Sequence, residues 1–361
     1  MNSASVSILI GDCRLALRSL PDESVQAVVT SPPYWGLRDY ESITWKGGAR
    51  NCDHQNAQIY RQESTGSAQK DKLKNKRVCS CGAVGDDLSI GGEYSPEEYV
   101  NQLCNVFDEI WRVLRQDGTV WLNLGDTYAP KNIKDPRNGV VIKRKNLLGM
   151  PWRVALALQS RGWILRQDII WSKPNAMPEN IKDRFTNSHE HVFMLSKSQK
   201  YFFDINSVKE EAVTTGKRFP NAERRALGIP SRYGAKGAAY YGISGFGVDE
   251  SGKRIKRDVW NVSTKPFKGA HFALYPPELI ETCVLAATKE GDFVLDPFSG
   301  AGTTGLVSLN LKRNYIGIEI SKKYANLSKK RIEAEVKNAE VAVFSSICPS
   351  QVELLFNPIG C

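Results

Sequence analysis

Two rhythms of apolar and polar positions alternate along this chain. Short apolar runs at 6–10 (VSILI) and 25–30 (VQAVVT) stop at loops, Gly11-Asp12 and Ser31-Pro32-Pro33-Tyr34. Both predict buried strands. Between them, Cys13–Leu20 carries helical spacing. Ser95-Pro96-Glu97-Glu98 predicts a helix start, with a capping Ser, Pro at the first helical position and Glu three residues after the cap. Val100, Leu103, Phe107, Ile110 and Leu114 continue that helix towards Asp117-Gly118, and strand TVWLNLG follows. A helix over about 149–160 and strand WILRQDIIW come next. Residues 189–203 read as two strands joined by a polar turn. After a long irregular stretch come helix 276–288, strand DFVLD, a Gly-rich turn, helix 303–312, strand YIGIEI and helix 321–337. The tail 338–361 predicts no element, and no internal repeat is visible.

Strands alternating with helices imply an α/β fold with a mostly parallel sheet. Ligands in such folds bind at the carboxyl ends of strands. Gly11-Asp12, Ser31–Tyr34, Asp296–Gly302 and Glu319 all fall at such ends, so they are expected to share one site. Two stretches break the pattern. Lys, Gln, Asn, Ser and Gly dominate 55–77, so 46–92 reads as a polar surface insertion. In 207–268, thirteen Lys/Arg stand against six Asp/Glu, with Gly and Tyr interleaved.

Composition narrows the class. The 361 residues are 41% hydrophobic, enough for a sizeable core and against a disordered chain. The net charge of +10 favours a polyanionic partner, nucleic acid before a membrane surface. No apolar run reaches the roughly 18 residues that span a bilayer. The start, MNSASVSILIGDC, lacks a basic region followed by an apolar one, so it does not read as a secretory signal. The eight Cys are scattered, which points to a reducing cytoplasm.

The sharpest local signal is Thr30-Ser31-Pro32-Pro33-Tyr34-Trp35 directly after a strand. Two prolines remove two N–H donors and fix the backbone. Carbonyls are left to accept hydrogen bonds, Ser31 adds an acceptor and Tyr34 a flat face, an arrangement that suits an exposed base amino group. The bland alternative is an ordinary Pro-rich turn. The second signal is Asp296-Pro297-Phe298-Ser299-Gly300-Ala301-Gly302-Thr303-Thr304-Gly305, a turn whose glycines allow close ligand approach. Glu319, ending the next strand, could hold a ribose diol. Gly300-x-Gly302-x-x-Gly305 also fits a dinucleotide fingerprint. Only 42 residues follow Glu319, however, too few for a full dinucleotide-binding half, and that reading leaves Ser31–Tyr34 without a role.

SPPY together with DPFSGAGTT resembles the signature pair of the DNA amino-methyltransferases, the N4-cytosine and N6-adenine enzymes. SPPY early and DPFSGAGTT late is similar to the permuted β-group order, and the resemblance covers most of the chain. It implies a Rossmann-like fold dependent on S-adenosylmethionine (SAM), with a circularly permuted, mostly parallel seven-stranded sheet. The catalytic residues would be Ser31, Pro32, Pro33 and Tyr34. The cofactor pocket would draw on Asp12, His271, Asp296, Pro297, Phe298, Ser299, Gly300, Gly302, Thr303, Thr304 and Glu319. Gly125-Asp126 resembles a target-base pocket motif. His271–Leu279 (HFALYPPEL) looks like a helix beside the methionine end of the cofactor, and 162–175 like the segment before the recognition region.

The implied organisation is 1–45 and 93–206 as the catalytic half and 46–92 as a Cys/His insertion. Residues 207–268 would be a target-recognition region, 269–337 the SAM-binding half and 338–361 a tail. The implied partners are double-stranded DNA and, in a restriction–modification system, a cognate restriction endonuclease. A monomer or weak dimer in the cytoplasm is expected. Within the family SPPY leans to cytosine N4 and DPPY to adenine N6. No Pro-Cys pair occurs, which argues against C5 methylation. An RNA or small-molecule methyltransferase would keep the cofactor motifs without needing the basic 207–268 insertion. A non-catalytic DNA-binding protein would need neither motif.

Cys52-x-His54 and Cys79-x-Cys81 lie across the polar insertion. Four soft ligands in two pairs suggest a structural zinc, against the bland reading of surface thiols and an incidental His. A catalytic deaminase zinc does not fit, since Cys79-x-Cys81 lacks the Pro-Cys-x-x-Cys form and no His-x-Glu occurs. His189 and His191 flank Glu190 and read as strand residues placed by packing, against the alternative of a metal pair. Trp111, Trp121, Trp163 and Trp171 read as core.

Overall fold

The computed structural model describes residues 4–36, 43–49, 51–52, 58–59, 77–87, 90–93, 95–134, 139–211, 253–265, 275–336 and 341–344. Among them, nine strands form one sheet. In chain order these are β1 (Val6–Ile10), β2 (Val25–Thr30), β3 (Leu114–Leu124), β4 (Ile164–Ser172), β5 (His189–Ser196), β6 (Val259–Asn261), β7 (Phe293–Asp296), β8 (Asn314–Glu319) and β9 (Val341–Phe344). Their order across the sheet is β6-β4-β5-β3-β2-β7-β8-β1-β9. Only β5 runs against its neighbours, antiparallel to both β3 and β4. The other pairings are parallel.

The sheet is mostly parallel, as expected, but it holds nine strands where seven were expected. The two additions are short edge strands, β6 beside β4 and β9 beside β1. Each pairs on one side only, over three or four residues, too short to show a period of its own in the sequence.

Among the described residues, six helices cover the sheet: α1 (Cys13–Ser19), α2 (Pro96–Val113), α3 (Met150–Ser160), α4 (Pro277–Ala287), α5 (Thr303–Asn310) and α6 (Lys322–Glu335). The period-two alternation of the strands sorts side chains onto two faces. Val28, Leu122 and Phe193 face a core with Leu17, Phe107 and Leu158 of α1–α3. Val29, Trp121 and Val192 face Leu279, Ile280 and Val284 of α4. Val6, Ile8 and Tyr315 pack on Leu306 and Ile332 of α5 and α6. At α2, the Ser95 hydroxyl accepts from Glu98 N at 3.2 Å, as the capping pattern requires.

Two local expectations are corrected. Helix α2 stops at Val113 and strand backbone begins at Leu114. Leu114 continues the helical apolar spacing but is buried as the first residue of β3, which pairs Val25 with Leu114. Residues 189–203 contain one strand, not two. Beyond Ser196 the aromatic residues pack without a ladder: Phe203 stacks on Trp121 at 6.4 Å, and Asp204 N donates to the Ala286 carbonyl.

Candidate active site

Strands β1, β2, β3, β7 and β8 run in one direction, so their carboxyl ends share one edge. The antiparallel β5 brings its first residues, His189 and Glu190, to that same edge. Strand β4, reversed again, delivers Lys173 there. Topology therefore gathers the Ser31–Tyr34 loop, the Asp296–Thr304 loop, Glu319, Asp12 and a third group from β3–β5.

Asp296 joins the two signature loops. Its buried carboxylate accepts from Thr30 Oγ1 (2.6 Å), Thr304 Oγ1 (2.9 Å), Tyr275 OH (3.0 Å) and Phe298 N (3.0 Å). Burial pushes this carboxyl above its ordinary range, and the four donors oppose the shift. Thr30 immediately precedes Ser31, so one carboxylate sets the spacing between the loops. Tyr275 was not singled out as a site residue. Its only sequence signal was its place inside HFALYPPEL, and the helix there begins at Pro277. His271 lies outside the described residues.

The residues expected to hold the cofactor separate into two groups. Pro297, Ser299, Gly302, Thr303 and Thr304 are buried along with Asp296. They build the loop: Ser299 Oγ accepts from Tyr315 OH (2.9 Å), and Arg331 donates to Thr303 Oγ1 (2.9 Å). A Cβ on Gly302 would lie 1.9 Å from Ser328 Oγ, so that glycine admits the packing of α6. Asp12, Phe298, Gly300 and Glu319 are only partly buried. Gly300 is left-handed (φ 52°), and a Cβ there would meet no protein atom closer than 3.9 Å, so the backbone borders open space.

Glu319 receives Gly300 N at 2.9 Å and Ser321 N at 2.8 Å, one on each carboxylate oxygen. Burial, its largest influence, nevertheless raises the carboxyl to about 7. Asp12 caps α1 through Arg14 N (2.9 Å) and is paired with the Arg14 guanidinium at 2.6 Å.

The Ser31–Tyr34 loop ends in a half-buried polar chain. Ser31 Oγ donates to Tyr34 OH at 3.3 Å, and Tyr34 OH donates to Glu190 Oε2 at 2.6 Å. Asn123 Nδ2 also donates to Glu190 Oε2 (3.0 Å), and Lys173 Nζ pairs with Glu190 Oε1 while lying over the Trp171 ring. Burial and the Glu190 charge push the Tyr34 hydroxyl well above its ordinary range, so it stays protonated. The Tyr34 ring packs over Gly125, where a Cβ would lie 2.7 Å away. Tyr99 OH donates to the Pro33 carbonyl at 2.8 Å. Among the described residues the Pro32 carbonyl receives no hydrogen bond.

Glu190, Lys173 and Asn123 were missed as site residues. The sequence shows a strand at Glu190 but not that this strand runs backwards into the site. His191 is held by Asp168 (2.9 Å) and stacks on Phe193. The Asp126 carboxylate caps α3 through Gly149 N and Met150 N, both at 3.0 Å.

A permuted α/β sheet with both signature loops joined at its carboxyl edge defines a methyltransferase of nucleic-acid amino groups. The chain belongs to the N6/N4 DNA methylase family: the family model described as "DNA methylase" matches residues 25–330. It is 39% identical over 343 residues to the type II methyltransferase M.Cfr9I of Citrobacter freundii, covering 91% of this chain and 88% of that one. It is 36% identical to M.SmaI of Serratia marcescens, covering 92% of each.

Among solved structures, the fold resembles the cytosine-N4-specific PvuII DNA methyltransferase (TM-score 0.55, 19% identity, 98% of this chain and 92% of that one). It also resembles a Thermus thermophilus protein described as a putative DNA modification methylase and crystallised with SAM (TM-score 0.51, 21% identity, 95% and 99%). The chain is thus a DNA methyltransferase of the N4/N6 family. Among the described residues no helix is long and apolar enough to cross a membrane.

Proposed function

We propose that this enzyme transfers a methyl group from SAM to the exocyclic N4 amino group of a cytosine flipped out of duplex DNA. The observation that carries the reading is the direction of the chain from Ser31 through Tyr34 to Glu190. Ser31 gives its hydroxyl proton to Tyr34, so its lone pairs remain to accept from a substrate amino group. The Pro32 carbonyl supplies the second acceptor.

An exocyclic amino nitrogen is a poor nucleophile because its lone pair is delocalised into the ring. Accepting hydrogen bonds from both its N–H groups turns that lone pair outward, and the interaction strengthens as positive charge develops on nitrogen. When bound, SAM supplies the electrophilic methyl on its sulfonium. The product nitrogen sheds one proton to Ser31 Oγ. Ser31 passes its own to Tyr34, and Tyr34 passes its own to the Glu190 carboxylate. The target atom is inaccessible inside a duplex, so the base must leave the stack.

The residues present fit SAM. Gly300 leaves room for close backbone approach, and the Glu319 carboxylate, oriented by Gly300 N and Ser321 N, retains lone pairs for a ribose diol. Asp12 and Phe298 complete the partly buried rim. The cytosine preference rests on Ser31 at the head of SPPY. We assign the basic 207–268 segment to phosphate and base-edge contacts, and a protective role opposite a cognate restriction endonuclease.

The test is label transfer from methyl-labelled SAM to duplex DNA. Ser31→Ala should lower turnover by about 10²- to 10³-fold, with SAM affinity by calorimetry unchanged. Full turnover in Ser31→Ala contradicts the assignment.

A further inference from the structure

The insertion at 46–92 departs from the catalytic loop and returns to it. Its strands pair antiparallel, Ile43–Lys46 with Val84–Asp87, and Arg77–Val78 with Val84–Gly85. On the return, Gly36 N donates to the Gly91 carbonyl (2.8 Å) and Trp35 Nε1 to the Glu93 carbonyl (2.9 Å). A Cβ on Gly91 would lie 3.3 Å from Pro33 Cβ, so the segment presses on the SPPY loop itself. Whatever holds this small sheet in shape also braces Pro33 and Trp35.

At the far end of that sheet three thiols converge. Gly82 N donates to the Cys79 carbonyl and Cys79 N to the Ala83 carbonyl, both at 2.9 Å, which folds 79–83 into a tight turn presenting two sulfurs. Cys52 meets them from the other side, its Sγ 3.5 Å from Cys79 Sγ. All three sulfurs lie within 4.8 Å of one another. The backbone at Gly48 passes so close that a Cβ there would lie 2.8 Å from Cys81 Sγ. Zn–S bonds of about 2.3 Å in a tetrahedral site set sulfurs roughly 3.8 Å apart, close to the spacing seen. None of the three is in a disulfide. The strands described there are only two to four residues long, and such a staple would hold them.

We propose that Cys52, Cys79 and Cys81 bind a structural zinc ion as thiolates, and that this ion closes the insertion bracing the catalytic loop. His54, expected from the sequence as a fourth ligand, lies outside the described residues.

The first readout is zinc content of the purified full chain by plasma mass spectrometry, which needs no methylation activity. The expected result is about one zinc per chain, lost in Cys79→Ser and Cys81→Ser. Should those variants not fold, thiol titration of the native wild type decides. Three thiols should react with an alkylating reagent only after a chelator removes zinc. Folded wild type that holds no zinc and takes none up, or a Cys52–Cys79 disulfide by mass, overturns the proposal.

The second readout concerns the brace. Removing zinc from folded protein should cut turnover by about tenfold or more, since small misplacement of reacting groups is costly, while the SAM dissociation constant holds. Unchanged turnover overturns the bracing role.

Discussion

The Thr30 hydroxyl donates to Asp296 Oδ1 at 2.6 Å, across 266 positions of sequence. Both residues are buried, and the contact ties the last residue of β2 to the last residue of β7. The strand carrying the Ser31–Tyr34 loop is thereby keyed to the strand carrying the glycine turn. Thr30→Val keeps the shape and removes the donor, and should cost about 1–3 kcal/mol of stability. Asp296→Asn should cost at least as much, because its amide nitrogen would face hydroxyl donors. Denaturant unfolding checks both, and wild-type stability in either contradicts the keying role.

Tyr34 and Glu190 should act as a unit. Tyr34→Phe removes the donor to Glu190, and Glu190→Gln removes the proton acceptor. Each should lower turnover by about tenfold or more and leave SAM affinity unchanged. The double variant should be no slower than the slower single one, because each breaks the same path. Fully additive losses would show that the residues act separately.

Cofactor affinity should depend on pH through Glu319. Below its value of about 7 the carboxyl is protonated and accepts hydrogen bonds weakly; above it the carboxylate accepts fully. SAM should therefore bind more tightly as pH rises from about 6 to about 8. Glu319→Gln should bind more weakly and with a flat profile. Linkage also sets the stability of the cofactor-free protein. The folded carboxyl titrates above its ordinary 4.5, so its contribution falls as pH rises from about 4.5 to about 7, then levels. Calorimetry across this range tests the binding, and a flat wild-type profile refutes the ribose assignment.

The central strands, the helices and the two signature loops were legible because each is a local pattern. VSILI, VQAVVT and the helix opened by Ser95 are self-contained in sequence, and buried strands end where they meet a ligand loop. What stayed hidden depends on order across the sheet. Glu190 and Lys173 enter the site because β5 runs antiparallel to both neighbours, which no periodicity reports. The edge strands Val259–Asn261 and Val341–Phe344 were missed because such short runs form only against an existing sheet edge. The signature DPFSGAGTT marked the loop proposed to meet the cofactor, but not which residues would face it. Asp296 and Thr304 are spent on holding the loop together, while the Gly300 backbone borders open space.

The most direct test is mass spectrometry of nucleosides from duplex DNA incubated with the enzyme and methyl-labelled SAM. The account predicts label in N4-methylcytosine, absent when Ser31→Ala replaces the wild type. Label confined to N6-methyladenine would contradict the cytosine assignment while leaving the acceptor mechanism standing. DNA without label, from an enzyme shown to bind SAM, would contradict the account itself.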